Sequence, residues 1–101
     1  MKTIVLGDKD TVLLFALEGV EGKVIENADQ AVEEIRRIKK SRSYGLMIIS
    51  EQVVEWASDL IYQLRFSKEL PIIIDIPGSG GHKKGIKNLA DYIREAVGIR
   101  V

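Results

Sequence analysis

Pro71 to Gly85, PIIIDIPGSGGHKKG, carries most of the groups in this chain with the chemistry to hold a phosphate. An apolar run ends in Pro77, and Gly78, Ser79, Gly80, Gly81, His82, Lys83, Lys84 and Gly85 follow, just ahead of a helical pattern. Such turns bind phosphate because free backbone N–H groups converge there and the helix dipole favours an anion. Spacing tests the two nucleotide motifs. A Walker loop closes on Gly-Lys-Ser/Thr, whereas Gly80 and Gly85 have the right separation but Ile86-Lys87 follows. A dinucleotide GxGxxG pattern begun at Gly78 meets Gly80 and then finds Lys83 where its third glycine belongs. Lys83, Lys84 and the loop amides suffice for a stray anion, without the side chains that act on a nucleotide. His82 has no acid, serine or cysteine placed to work with it, so it reads as an exposed side chain rather than a base.

A second candidate is Gly7-Asp8-Lys9-Asp10, directly after the first apolar run. In doubly wound α/β folds this is the carboxyl edge of the sheet, where sites form. Two carboxylates there can hold a divalent cation, as in phosphoacceptor receiver domains. Such a domain also needs an acceptor aspartate after its third strand, and this chain has Ser50-Glu51 there and no fifth strand. The alternative is structural: Asp8 or Asp10 caps the first helix, and the other is favoured by its dipole. The residues call for no cofactor and no metal.

Composition narrows the classes further. The 101 residues suit one domain, with 15 Lys plus Arg balanced by 15 Asp plus Glu, so no global field points to nucleic acid. There is no cysteine, which removes disulfides, thiolate metal sites and cysteine nucleophiles. The apolar run after Met1-Lys2 is too short for a signal peptide, and none approaches the roughly 20 residues of a membrane span. The expectation is a soluble, cytoplasmic protein without direct membrane insertion.

Four short β-type runs alternate with four helical patterns, the signature of βαβ units. The strands are expected at Thr3–Leu6, Lys23–Glu26, Leu46–Ser50 and Pro71–Ile76, the second at an edge and the third and fourth apolar enough for covered central strands. Asn27 can cap the second helix with Gln30 completing a capping box, and Ala28, Ala31, Val32, Ile35 and Ile38 form its stripe. Arg36, Arg37, Lys39, Lys40 and Arg42 crowd its end. The third helix starts near Ser50 or Glu51 with a stripe of Val53, Val54, Ala57, Leu60, Ile61 and Leu64. The fourth runs from about Lys84 to Val97, with Ile86, Leu89, Ala90, Ile93 and Val97 on one face and Gly98 as its stop. Right-handed crossovers predict a small open parallel sheet ordered 2-1-3-4 with helices on both faces, resembling a flavodoxin-like or receiver fold without its fifth strand. One compact domain is expected, divided into a body at 1–76, a glycine-rich hinge at 77–85 and a C-terminal helix and tail at 86–101.

Surface apolarity is the remaining signal. Val12 to Leu17, VLLFAL, is apolar at every position, so one side of the first helix covers the sheet and the other calls for a neighbour. Tyr62 and Phe66, four apart, lie opposite the third helix's stripe. They form an exposed aromatic pair, or else Phe66 lies past the helix end and folds back under the sheet. Trp56 flanks the stripe and reads as semi-buried.

In order and spacing the chain resembles the F subunit of the archaeal-type and vacuolar-type rotary ATPases. The likeness rests on Ile4-Val5-Leu6-Gly7-Asp8, Asp10-Thr11-Val12, Phe15, Gly19-Val20, Gly45 through Glu51, Pro71-Ile72-Ile73-Ile74, Ile76-Pro77 and Ile93 through Ile99. It departs at Leu14-Phe15-Ala16-Leu17-Glu18-Gly19-Val20, where the family often has Gly-Phe-Arg-Leu-Ala-Gly-Val; the glycine and arginine are missing. The resemblance implies a noncatalytic central-stalk component that binds the coiled-coil D subunit of the rotor, chiefly through its C-terminal helix. Ile86, Leu89, Ala90, Ile93, Arg94 and Val97 would make that contact, and Pro77, Gly78, Gly80 and Gly81 would be its hinge. The alternative is a receiver-like regulatory domain with an Asp8/Asp10 magnesium pocket.

Overall fold

Residues 1–77 are described by the computed structural model. They run as β1 (Lys2–Gly7), α1 (Lys9–Ala16), β2 (Glu21–Val24), α2 (Ala28–Ser41), β3 (Tyr44–Ser50), α3 (Glu51–Trp56), α4 (Ser58–Ser67) and β4 (Ile72–Ile76). The four strands form an all-parallel sheet in the order β2-β1-β3-β4, as the alternation of elements predicts. The C-terminal helix expected at 86–101, most of the hinge, and the domain division that depends on them lie outside the described residues.

The period-two alternation of the strands sorts their apolar side chains onto two faces. Ile4 and Leu6 of β1 and Met47 and Ile49 of β3 join Ala31, Ile35 and Ile38 of α2, Val53 of α3, Ala57 and Ile61 of α4 in the larger core. Val5, Ile48 and Ile76 point the other way and meet Phe15 of α1, with Val12, Leu14, Leu46 and Ile74 packed around them. Among the described residues α1 alone covers that second face.

The second helix is built as its sequence predicts. The Asn27 side chain accepts from the Gln30 N–H at 2.9 Å, and Gln30 Oε1 accepts from the backbone N–H of Glu26 at 2.7 Å, one residue outside the reciprocal bond of a standard capping box. Such a cap contributes about 1 kcal/mol.

Three expectations need correction. The second strand is Glu21–Val24 rather than Lys23–Glu26: Ile25, though buried, lies past the strand, and its N–H bonds the Gly7 carbonyl at 3.0 Å. The third helical pattern is bent at Ala57 (φ −127°, ψ 33°), where neither proline nor glycine announces it, and it forms α3 and α4. Backbone bonds Ala57 N–H to Val53 O (3.1 Å) and Ile61 N–H to Ala57 O (2.9 Å) carry the stripe through the bend, so all three residues stay buried. Finally, β4 is an edge strand of the described sheet despite its apolar sequence, and Ile72 is exposed.

Candidate functional site

In an open α/β sheet ligands settle outside the carboxyl ends of the strands, where the strand order reverses. Here the chain leaves β1 towards β2 through α1 on one face, and returns to β3 through α2 on the other, so the reversal lies between β1 and β3. The residues at that point are Gly7-Asp8 and Ser50-Glu51. Thr11 of α1 and Ser50 are both buried there. A Cβ placed on Gly7 would stand 3.3 Å from Thr11 Cγ2 and 3.4 Å from Ser50 Cβ. Among the described residues, Gly7, Thr11 and Ser50 are therefore packed close together at this point. Gly7 is the residue that lets α1 come down so closely.

Asp8 is the N-cap residue of α1, with extended backbone (φ −76°, ψ 172°), but its side chain does not cap the helix amides. Its Oδ1 instead accepts the hydroxyl of Thr11. Asp10 sits exposed in the first turn, where the dipole favours it. Asp8 thus holds the capping position and Asp10 the first-turn position, while the Asp8 side chain bonds the Thr11 hydroxyl rather than a helix amide. Among the described residues no group of three or more His, Asp and Glu side chains gathers as a metal site would need.

The apolar surface is more informative. Leu13 of α1 is 59% exposed and Leu17, just past its end, 76%, which bears out a helix with an uncovered side. Tyr62 and Phe66 are exposed and their rings stack at 5.6 Å between centroids and 21° between planes. Phe66 is the penultimate residue of α4 and does not fold back under the sheet. Trp56 is half-buried against the larger core.

Of the residues assigned to the hinge, Pro77 follows β4 directly and is half-buried. Gly78, Gly80 and Gly81, the contact residues Ile86, Leu89, Ala90, Ile93, Arg94 and Val97, and the pair His82 and Lys83 lie outside the described residues.

Sequence reasoning noticed the basic end of α2 and missed what meets it. Lys39 donates to Glu69 Oε1 at 2.7 Å and to the Leu70 carbonyl at 3.2 Å, tying α2 to the segment between α4 and β4. That hydrogen bond, with the Lys39 charge behind it, holds the Glu69 carboxyl below its ordinary range. Arg37 is pushed up from its ordinary value, first by its hydrogen bond to Glu34. No local pattern links residue 39 to residue 69.

The family profile described as "ATP synthase (F/14-kDa) subunit" matches residues 3–97. This chain belongs to that family. Curated relatives agree: it is 34% identical over 99 residues to the F subunit of the A-type ATP synthase of Methanothermobacter thermautotrophicus, covering 96% of this chain and 92% of the relative. It is 32% identical over 101 residues to the F subunit of the V-type ATP synthase of Fusobacterium nucleatum, covering 99% and 94%. With the F subunit of the A-type enzyme of Thermococcus kodakarensis the identity is 33% over 106 aligned positions, covering 100% and 98%. The family likeness drawn from the residues is thus shown. A component of an ATP synthase has the rest of its complex as partners, which gives the uncovered side of α1 and the Tyr62–Phe66 pair a context. Among the described residues no helix is long and apolar enough to cross a membrane.

Proposed function

We propose that this ATP synthase component is a noncatalytic part of the central stalk, bound to the coiled-coil D subunit and turning with it. Torque passes along that stalk between the ion-driven membrane ring and the head where ATP is made or hydrolysed, on the cytoplasmic side of the membrane. The observation that carries the reading is the family match, which runs on to residue 97 and so takes in Ile86, Leu89, Ala90, Ile93, Arg94 and Val97. At helical spacing the apolar members of that set make one face, and such a face packs into the groove of a partner helix. The exposed Leu13, Leu17, Tyr62 and Phe66 support a body that works by contact with neighbours. Pro77, Gly78, Gly80 and Gly81 would form the hinge that lets the C-terminal stretch reach its partner.

The test is co-elution of the full chain with the purified coiled-coil D subunit. Ile93→Asp should abolish the complex while the variant keeps the parent's thermal unfolding transition. Undiminished binding by the variant would refute the assignment. Loss of folding would move the stripe into the domain's own core.

A further inference from the structure

At the amino edge of the sheet, opposite to Gly7 and Ser50, the ends of α2 and α4 meet around an open hollow of about 720 Å³. Its lining includes Lys39, Lys40, Arg42 and Lys68, with Met1 and Leu70 as exposed apolar neighbours. One carboxylate, Glu69, also lines it; Lys39 is ion-paired to it and the Arg42 charge acts on it more weakly. No ion pair joins Lys40, Arg42 or Lys68 to a carboxylate among the described residues. A chain of zero net charge has therefore gathered an excess of cations at one end.

We propose that this hollow is a docking surface for an acidic, partly apolar segment of a partner protein. Two features of the backbone favour this over a purely structural use of the cations. Arg42 (φ 58°) and Lys68 (φ 61°) are the C-cap residues of α2 and α4, and both are left-handed. Glycine adopts that conformation without the clash an L side chain meets, and it is the common choice at such helix ends. Here both positions carry long cations instead. Favourable interaction with the helix dipoles is the competing explanation, and it predicts that removing the charges destabilises the fold.

The kind of anion also follows from the geometry. Both helices present their carbonyl ends to this edge, so no cluster of free N–H groups is offered to a small phosphate. The positive charge sits on flexible side chains spread around a wide hollow, which suits carboxylates spaced along a segment. Met1, 80% exposed, and Leu70, 46%, supply apolar contact that a bare anion cannot use. The nearest aromatic ring, Tyr44, is buried under the Lys2 ammonium (4.8 Å to the ring centroid) and gives its hydroxyl to Glu21 at 2.7 Å, so it offers no stacking platform for nucleic-acid bases. This surface is built from described residues and shares none with the C-terminal contact proposed above, so either can fail alone.

The test is an NMR titration of the full chain with a synthetic peptide of about ten residues alternating Glu and Leu pairs, at low and raised salt. Backbone resonances of Lys39, Lys40, Arg42, Lys68 and Glu69 should shift, with an affinity that falls as salt rises. The double variant Arg42→Gly, Lys68→Gly removes two cations while giving the backbone its preferred residue. It should bind the peptide at least about tenfold more weakly with an unchanged or higher thermal midpoint. The proposal is overturned if the peptide leaves these resonances unmoved, if the Gln-for-Glu peptide binds equally well, or if the double variant binds like the parent. It is also overturned if vesicles containing phosphatidylserine, or oligo-dT, bind this surface more tightly than the peptide. A lower thermal midpoint with unchanged binding would give the cations to the helix dipoles.

Discussion

Replacing Gly22 by alanine puts two opposite effects in competition, and the packing of α1 on β2 decides between them. In an ordinary strand position the change helps, because alanine has less backbone freedom to lose on folding, an effect of about 0.4–1 kcal/mol. At Gly22 a Cβ would lie 2.8 Å from Val12 Cγ1 and 2.9 Å from Val5 Cγ1. Carbon atoms pack best at about 3.5–4.0 Å, so both contacts fall short by more than half an ångström. Val5 pairs with Gly22 across the ladder, is wholly buried against Phe15 and Ile48, and is stiff at χ1, so it cannot turn away. Val12 is half-buried and yields only if α1 moves with it. Overpacking of this kind costs about 1–3 kcal/mol, which outweighs the entropic gain and leaves Gly22→Ala about 1–2 kcal/mol less stable. For a domain of this size that is a fall of about 4–15 °C in Tm, read by circular dichroism and checked by urea unfolding with an unchanged m value. Adding Val12→Ala removes one of the two clashing methyls, so the double variant should be more stable than the sum of the single effects predicts. A Tm at or above the parent's for Gly22→Ala would refute the close approach of α1 to β2.

Two further outcomes follow from single side chains. Ser50 Oγ is buried without a hydrogen-bond partner among the described residues, so Ser50→Ala should leave stability unchanged or raise it by about 1 kcal/mol; a loss of that size in urea unfolding would mean the hydroxyl has a partner. The Glu69 carboxyl titrates below its ordinary range, so its contribution to stability is present above the unfolded-state carboxylate pKa and is lost as pH falls through the lower folded value. Lys39→Met should move the Glu69 midpoint upward in a side-chain NMR titration, and an unmoved midpoint would contradict the Lys39 cause.

What the sequence made legible is what local physics decides. The unbroken apolar character of Leu46–Ile49 marked a covered strand, and Asn27 with Gln30 marked a helix start, because the interactions concerned lie within a turn or a strand. The second strand lies two residues before the place that the apolar pair Val24-Ile25 suggests, because an edge strand is held by its ladder and β2 buries none of its side chains fully. The bend at Ala57 carries no proline or glycine, and the buried spacing Val53, Ala57, Ile61 is the same for a straight helix. At the sites the limit was distance along the chain. Ser50 comes beside Gly7 and Thr11 only after the chain has crossed through β2 and α2 to β3, and Lys68 joins Lys40 and Arg42 only at the far end of α4.

A doubly wound sheet offers its natural ligand place at the carboxyl ends of β1 and β3, and here Thr11 and Ser50 each crowd Gly7, with Asp8 drawn into a bond to Thr11. A cation held there would have to compete with that bond. Other exposed groups lie away from that point: Leu13 on α1 and Leu17 just past it, the stacked pair Tyr62 and Phe66 on α4, and the cations around the amino-edge hollow. These lie on different sides of one small body. Surfaces so separated let a component of a complex meet different neighbours at once, whereas a single shared surface would make those neighbours compete.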